Sequence, residues 1–204
     1  FPTAAQLSPF GSRTTAEGDP AYLAQLCDDD RQLLWKPFTQ MQAYEQTHPL
    51  IVEEAQGCWL RDTEGRAYLD GVSSLWVNLH GHRRPEIDAA IVEQLGKVAH
   101  STLLGPTNVP AIEAARELVA IAPSERLRRV VYSDSGSTAV EIALKMAFQY
   151  WQQCGDPTGA ERTQFVTLDD AYHGDTIGSV SVGGMELFHG IYRPLLFHTA
   201  RTMG

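Results

Sequence analysis

The stretch that most constrains the fold is Arg129-Val130-Val131-Tyr132-Ser133, followed at once by Asp134-Ser135-Gly136-Ser137 and by residues 138–152, which are apolar almost all round. The β-branched run reads as a strand, the Ser/Gly tetrapeptide as a turn and the long apolar segment as a buried helix. A further strand-like run at 164–168 closes a unit of the length that a right-handed parallel crossover needs. The expected fold is α/β, a mainly parallel sheet with helices on both faces.

The rest of the chain is consistent with such a frame. Residues 51–70 carry turn signals at Gln56-Gly57 and Glu64-Gly65 between short runs rich in Val, Trp, Leu and Tyr, a pattern that predicts a small antiparallel meander. Pro85 opens a helical stripe of Ile87, Ile91, Leu95 and Val98, with proline at its permitted first-turn position. A second amphipathic helix carries Ile112, Ala115, Leu118, Val119 and Ala122 and is stopped by Pro123. Residues 1–20 mix Pro, Gly, Ser and Thr and are expected to form a mobile arm. Residues 21–84 then make an N-terminal segment with the meander, and 85–204 the first part of a large α/β domain.

Charge narrows the partners. A formal net charge of −9 over 204 residues argues against nucleic acid or an anionic membrane, both of which reward clustered Lys and Arg. Cys27, Cys58 and Cys154 lie far apart with no CxxC pair, so neither a zinc knuckle nor a disulfide framework is expected and a reducing cytoplasm fits. No secretory signal is recognisable at the start, and no apolar stretch approaches the roughly 18 residues of a membrane span.

Three stretches could carry chemistry. Asp134-Ser135-Gly136-Ser137-Thr138 stands where a strand gives way to a helix, so free main-chain amides and the helix dipole converge on one spot. Gly136 would let a phosphate approach the main chain, and the hydroxyls of Ser135, Ser137 and Thr138 could add donors. The plainer alternative is that Ser135 or Ser137 only caps the helix. Asp170-Ala171-Tyr172-His173-Gly174-Asp175-Thr176 follows the second predicted strand, and Tyr172 could cover a flat ring on the same rim of the sheet; alternatively Tyr172 fills a core gap and His173 is a surface group. The third stretch runs from Asp70 to His82. Its His80 and His82 lack a third ligand at useful spacing, so no metal is expected, and Trp76 lines a pocket or the core.

Together with Leu34-Trp35-Lys36-Pro37-Phe38-Thr39-Gln40-Met41, these stretches resemble the class III aminotransferases, fold type I of the pyridoxal-phosphate enzymes, and within them the branch that aminates 8-amino-7-oxononanoate in biotin synthesis. The similarity runs from about Leu34 to at least Leu196. It implies an aspartate-aminotransferase-like fold, here a partial large domain with an N-terminal segment of the small one. It implies pyridoxal 5'-phosphate as cofactor, with Gly136 and Ser137 on the phosphate beside Ser135 and His173, Tyr172 stacked on the pyridine ring, and Trp76, Phe38 and Leu75 bordering the substrate. One branch of the family has tyrosine at the position of Phe38 and tryptophan at that of Leu75, and these departures leave the amino donor open between S-adenosylmethionine and lysine. Family members are homodimers, so a homodimer is expected here by analogy.

The resemblance also implies a lysine that forms the resting Schiff base with the cofactor and an aspartate that pairs with its pyridinium nitrogen. Lys36, Lys97 and Lys145 are the only lysines and all are poorly placed, so both catalytic residues are expected beyond Gly204. The chain starts at Phe1 and reads as a piece; alone it is expected to be inactive. Two rivals stand beside this reading: another class III aminotransferase acting on an ω-amino acid, and a non-catalytic phosphate-ligand module.

Overall fold

A buried carboxylate organises the first sheet. Asp62 is 1% exposed and its Oδ1 accepts from the amides of Glu64 (3.0 Å) and Arg66 (2.8 Å), while Oδ2 accepts from Arg66 Nε (2.7 Å) and the Tyr68 hydroxyl (3.0 Å). A charge so enclosed needs this many donors to offset its desolvation. The clamp closes the turn between β2 (Trp59–Asp62) and β3 (Ala67–Leu69), and β1 (Val52–Gln56) pairs antiparallel on the other side of β2. Opposite residues include Ala55 with Leu60 and Leu60 with Tyr68, with a bulge between Val52 and Glu54.

The computed structural model describes Phe10 and residues 19–203; the arm expected over 1–20 falls almost wholly outside the described residues. By contacts the chain divides into two units, Phe1–Pro106 and Thr107–Gly204. The first holds the meander together with α1 (Pro20–Leu33), α2 (Met41–Tyr44) and α3 (Pro85–Leu95). Asp30 ties α1 to α2 and to the segment between them, accepting from the Tyr44 hydroxyl at 2.6 Å and pairing with Lys36. α3 begins on Pro85 at its first turn, with Glu86 and Asp88 suited to the positive end of its dipole.

The second unit starts with α4 (Val109–Ala120), capped by the Asn108 side chain, which accepts from the Ala111 amide at 3.0 Å. Next comes α5 (Gly136–Gln153), capped by Ser135, then β4 (Phe165–Leu168), α6 (Ile177–Val182), α7 (Glu186–His189) and β5 (Thr199–Thr202). β4 and β5 run parallel, Phe165 opposite Thr199 and Leu168 opposite Thr202.

Three expectations are corrected here. Arg129–Ser133 is not a strand, because no neighbouring chain among the described residues offers it a ladder, and unpaired main-chain groups do not make a sheet. Its Tyr132 hydroxyl instead donates to the Ala111 carbonyl at 2.6 Å. The parallel partner of the run at 164–168 is therefore β5, downstream of it, rather than the run at 129–133. Finally, no residue of α5 is buried. The buried helix is α6, where Gly178, Ser179, Val180, Ser181 and Val182 are all enclosed. Small side chains let α6 lie close between α5 and the β4–β5 pair, and its hydroxyls find partners there. Ser181 Oγ donates to the Ile177 carbonyl (2.7 Å), and Thr167 Oγ1 donates to the Val182 carbonyl.

Candidate functional site

The turn before α5 and the loop before α6 meet. Ser135, Gly136, Ser137 and Val140 from the first, with Tyr172, His173, Gly174, Asp175 and Thr176 from the second, line an open concavity of about 790 Å³. All of it lies within the second unit.

The seam is a knot of hydroxyls. Ser137 Oγ accepts from the Thr176 amide at 3.0 Å and stands 2.8 Å from both Thr176 Oγ1 and Ser179 Oγ. Gly174 makes this contact possible. Its φ of +108° lies where side chains are rarely tolerated, and a Cβ there would stand 2.5 Å from both Cβ and Oγ of Ser137. One turn along α5, Glu141 Oε1 accepts from the Gly178 amide at 2.7 Å. The Glu141 carboxyl is held below its ordinary range chiefly by a hydrogen bond from the Thr176 side chain, with the Gly178 and Ser179 amides adding to it against the cost of burial. Glu141→Ala would leave these donors without their acceptor. We expect it to lower the unfolding free energy of the complete protein by about 1–3 kcal/mol, readable in denaturant titration.

The cap of α5 is reciprocal. Ser135 Oγ accepts from the Thr138 amide (3.2 Å) while Thr138 Oγ1 accepts from the Ser135 amide (3.0 Å). The hydroxyls of Ser135, Ser137 and Thr138 are thus engaged with their neighbours. The Ser135 carbonyl also takes the Ala139 amide at 3.0 Å. This leaves the amides of Gly136 and Ser137 as the first-turn donors that the cap does not use, at the positive end of an 18-residue helix. The Ser135 cap is therefore observed, and it leaves the Gly136 and Ser137 amides outside its own hydrogen bonds.

Tyr172 is half exposed at 49%, so it is not filling a core gap. Its hydroxyl donates to Asp175 Oδ2 at 2.7 Å, which raises the phenol's pKa. His173 is exposed on the same rim. Asp175, Thr176, Ser179, Glu141 and His189 escaped the sequence-based choice of site residues. The Tyr172–Thr176 motif did contain two of them, but nothing in the sequence signals that Glu141 or His189 would arrive at this loop.

The other candidate residues belong to the first unit. Phe38 (φ 49°) is 78% exposed, beside a turn that leads into α2. Leu75 and Trp76 are 66% and 76% exposed. They sit in a left-handed turn in which Ser73, Ser74, Leu75 and Trp76 all have φ between 49° and 68°. Such a run is costly for L-residues, and Asp70 holds it: Oδ1 accepts from the Ser74 amide (2.7 Å), and Oδ2 from Ser74 Oγ (2.8 Å) and His82 Nε2 (2.7 Å). The Ser74 amide first, then His82, keep the Asp70 carboxyl below its usual range. His82 is thus committed to Asp70. Among the described residues no group of three or more His, Cys, Asp or Glu is placed to hold a metal ion, and no helix is long and apolar enough to cross a membrane.

Known proteins resemble this chain over a range that includes both segments. The sequence model described as "Aminotransferase class-III" matches residues 40–200. An adenosylmethionine-8-amino-7-oxononanoate aminotransferase of Nitratidesulfovibrio vulgaris is 59% identical over 179 residues, which is 87% of this chain and 32% of that protein. The crystal structure of the enzyme of the same name from Methanocaldococcus jannaschii superposes with a TM-score of 0.83 at 48% identity, over 89% of this chain and 40% of that one. An amine transaminase from an uncultivated Pseudomonas species, solved in its PLP-bound form, gives a TM-score of 0.74 at 36% identity, over 83% of this chain and 38% of that one. The chain thus spans about a third of the curated relative's length, and its fold is that of the fold type I transaminases. With the match running from residue 40 to residue 200, through both walls of the concavity, this chain belongs to the class-III aminotransferase family.

Proposed function

We propose that the complete protein is a pyridoxal-phosphate-dependent aminotransferase that converts 8-amino-7-oxononanoate to 7,8-diaminononanoate in biotin synthesis, with S-adenosylmethionine as amino donor. The observation that carries this reading is the concavity itself: one wall is a helix N-terminus with two unused amides, and the other carries a half-exposed tyrosine ring. A phosphorylated, flat, aromatic cofactor fits such a pair. The Gly136 and Ser137 amides would hold its phosphate beside Ser135 and His173, and Tyr172 would cover its ring. The close seat at Gly174, which a Cβ would fill, brings the two walls together.

When bound, the cofactor supplies the electron sink that lets an amino group pass from donor to ketone. This chain's part is to bind and orient. Phe38, Leu75 and Trp76, exposed in the first unit, would border the substrate. The lysine and aspartate that complete the site would lie beyond Gly204. None of this chain's own lysines lines the concavity, and Lys36 and Lys97 are paired with Asp30 and Glu93. On this reading the 204-residue chain alone shows no turnover, and the complete protein is a cytoplasmic homodimer.

The test is to assay the complete protein with 8-amino-7-oxononanoate, offering S-adenosylmethionine or lysine as donor and 4-aminobutyrate as a competing substrate. Amination of 8-amino-7-oxononanoate alone is expected. Transfer from lysine but not S-adenosylmethionine would correct the donor, a choice that Phe38 and Leu75 keep open. Transfer from 4-aminobutyrate with no product from 8-amino-7-oxononanoate would replace the reading with an ω-amino-acid aminotransferase.

A further inference from the structure

His189, at the end of α7, carries an unusual burden. Its side chain is 8% exposed and its Nδ1 is buried without a hydrogen-bond partner among the described residues. A buried polar atom left unpaired costs stability and calls for an explanation. Packing alone does not provide one, since a phenylalanine would fill the same space without the penalty.

The explanation lies on the other two sides of the ring. His189 stands parallel to Tyr172, with ring centroids 6.0 Å apart and planes 13° from parallel. Its Nε2 lies 3.5 Å from Asp175 Oδ1, at the limit of hydrogen-bond reach, while Asp175 Oδ2 takes the Tyr172 hydroxyl at 2.7 Å. The Asp175 carboxylate can only accept, so the Nε2–H tautomer is the one that fits, and this leaves the Nδ1 lone pair unpaired. Asp175 itself is 47% exposed and needs a fixed neighbour if it is to hold a phenol in one place. His189 is the buried member of the three.

Building on the proposed cofactor role of the concavity, we propose that Asp175 and His189 are positioning residues. They fix the plane and tilt of Tyr172, His189 through its ring and through Asp175, so that the phenol ring is set in place before a cofactor ring lies against it. Pre-set groups bind with less ordering cost than mobile ones. Neither residue need touch the reacting atoms.

The test uses the complete protein and measures the dissociation constant of pyridoxal phosphate, the position of its visible absorption band and the melting temperature. His189→Phe keeps the ring and the burial but removes the donor to Asp175. We expect the cofactor to bind about tenfold more weakly with a shifted band, at an unchanged or higher melting temperature. His189→Gln, which can place an amide donor near Nε2, should recover most of the affinity; if the Phe variant does not fold, Asp175→Ala, which removes the acceptor of both Tyr172 and His189, carries the test with the same expected loss and the same overturning result. In a Tyr172→Phe background, which lacks the phenol, His189→Phe should add less than about twofold. The proposal is overturned if His189→Phe binds the cofactor within about twofold of the parent with the same band, or if its effect persists undiminished in the Tyr172→Phe background. A parent protein that binds no pyridoxal phosphate would sink the cofactor reading itself, a result distinct from these.

Discussion

Replacing Gly174 with alanine is expected to abolish pyridoxal-phosphate binding at ordinary concentrations, raising the dissociation constant by about 100-fold or more. Two costs add. The backbone at Gly174 sits at φ +108°, and the new Cβ would stand 2.5 Å from Ser137 Cβ and Oγ and 2.9 Å from its Cα, against a helix start that cannot retreat without breaking the Ser135 cap. Strain and overpacking of this kind together cost roughly 2–5 kcal/mol, enough to part the two walls of the concavity. Gly136→Ala is the contrasting variant. Nothing lies within 4 Å of a Cβ built at Gly136, so the fold should tolerate it with a change of about 0.5 kcal/mol or less, while a phosphate approaching that main chain should not. Cofactor titration alongside thermal melting separates the two: Gly174→Ala should lose both properties and Gly136→Ala only binding. A Gly174→Ala protein with parental affinity would show that the contact between the two segments does not shape the site.

The second large effect is expected far from the concavity. Asp62→Ala strips the acceptor from two amides, a guanidinium and a phenol at once, at a position 1% exposed. We expect a loss of roughly 3–5 kcal/mol in the complete protein, seen as a lower denaturant midpoint at unchanged slope. The pH dependence has a definite sign. Burial by itself would raise the Asp62 pKa, but the hydrogen bonds from Arg66 and Tyr68 outweigh it and hold the folded carboxyl below its ordinary value. Its contribution is therefore present in full above the usual aspartate range and is lost as pH falls through the lowered folded pKa. The Ala variant should show a flatter acid limb. An equally steep limb would assign the acid sensitivity to other carboxylates, such as Asp70, Glu141 or Asp30, all of them also held low.

Much of this was legible in the chain because it depends on groups a few residues apart. The meander follows from turn signals at Gln56-Gly57 and Glu64-Gly65 with β-rich runs between them. α3 starts where Pro85 allows, α4 ends just before Pro123, and Ser135 caps α5 through an amide three residues away. The two walls of the concavity are each a single short segment, 135–140 and 172–176, of which only the second follows a strand.

What only the tertiary structure decided is pairing and burial, since these depend on partners that the sequence leaves unspecified. Arg129–Ser133 has the composition of a strand but no neighbour to bond with among the described residues, while 165–168 found its partner more than thirty residues downstream. The long apolar helix α5 has no buried residue, whereas the short, serine-rich α6 is enclosed because its small side chains allow close approach on both sides. Glu141 reaches the Gly178 amide, just past the Tyr172–Thr176 loop, from 37 residues away, and His189 reaches Asp175 within that loop from 14. A hydrogen bond closed over two to four residues is written in local spacing; one closed over dozens depends on how the intervening chain packs, and that is where sequence periodicity stops carrying information.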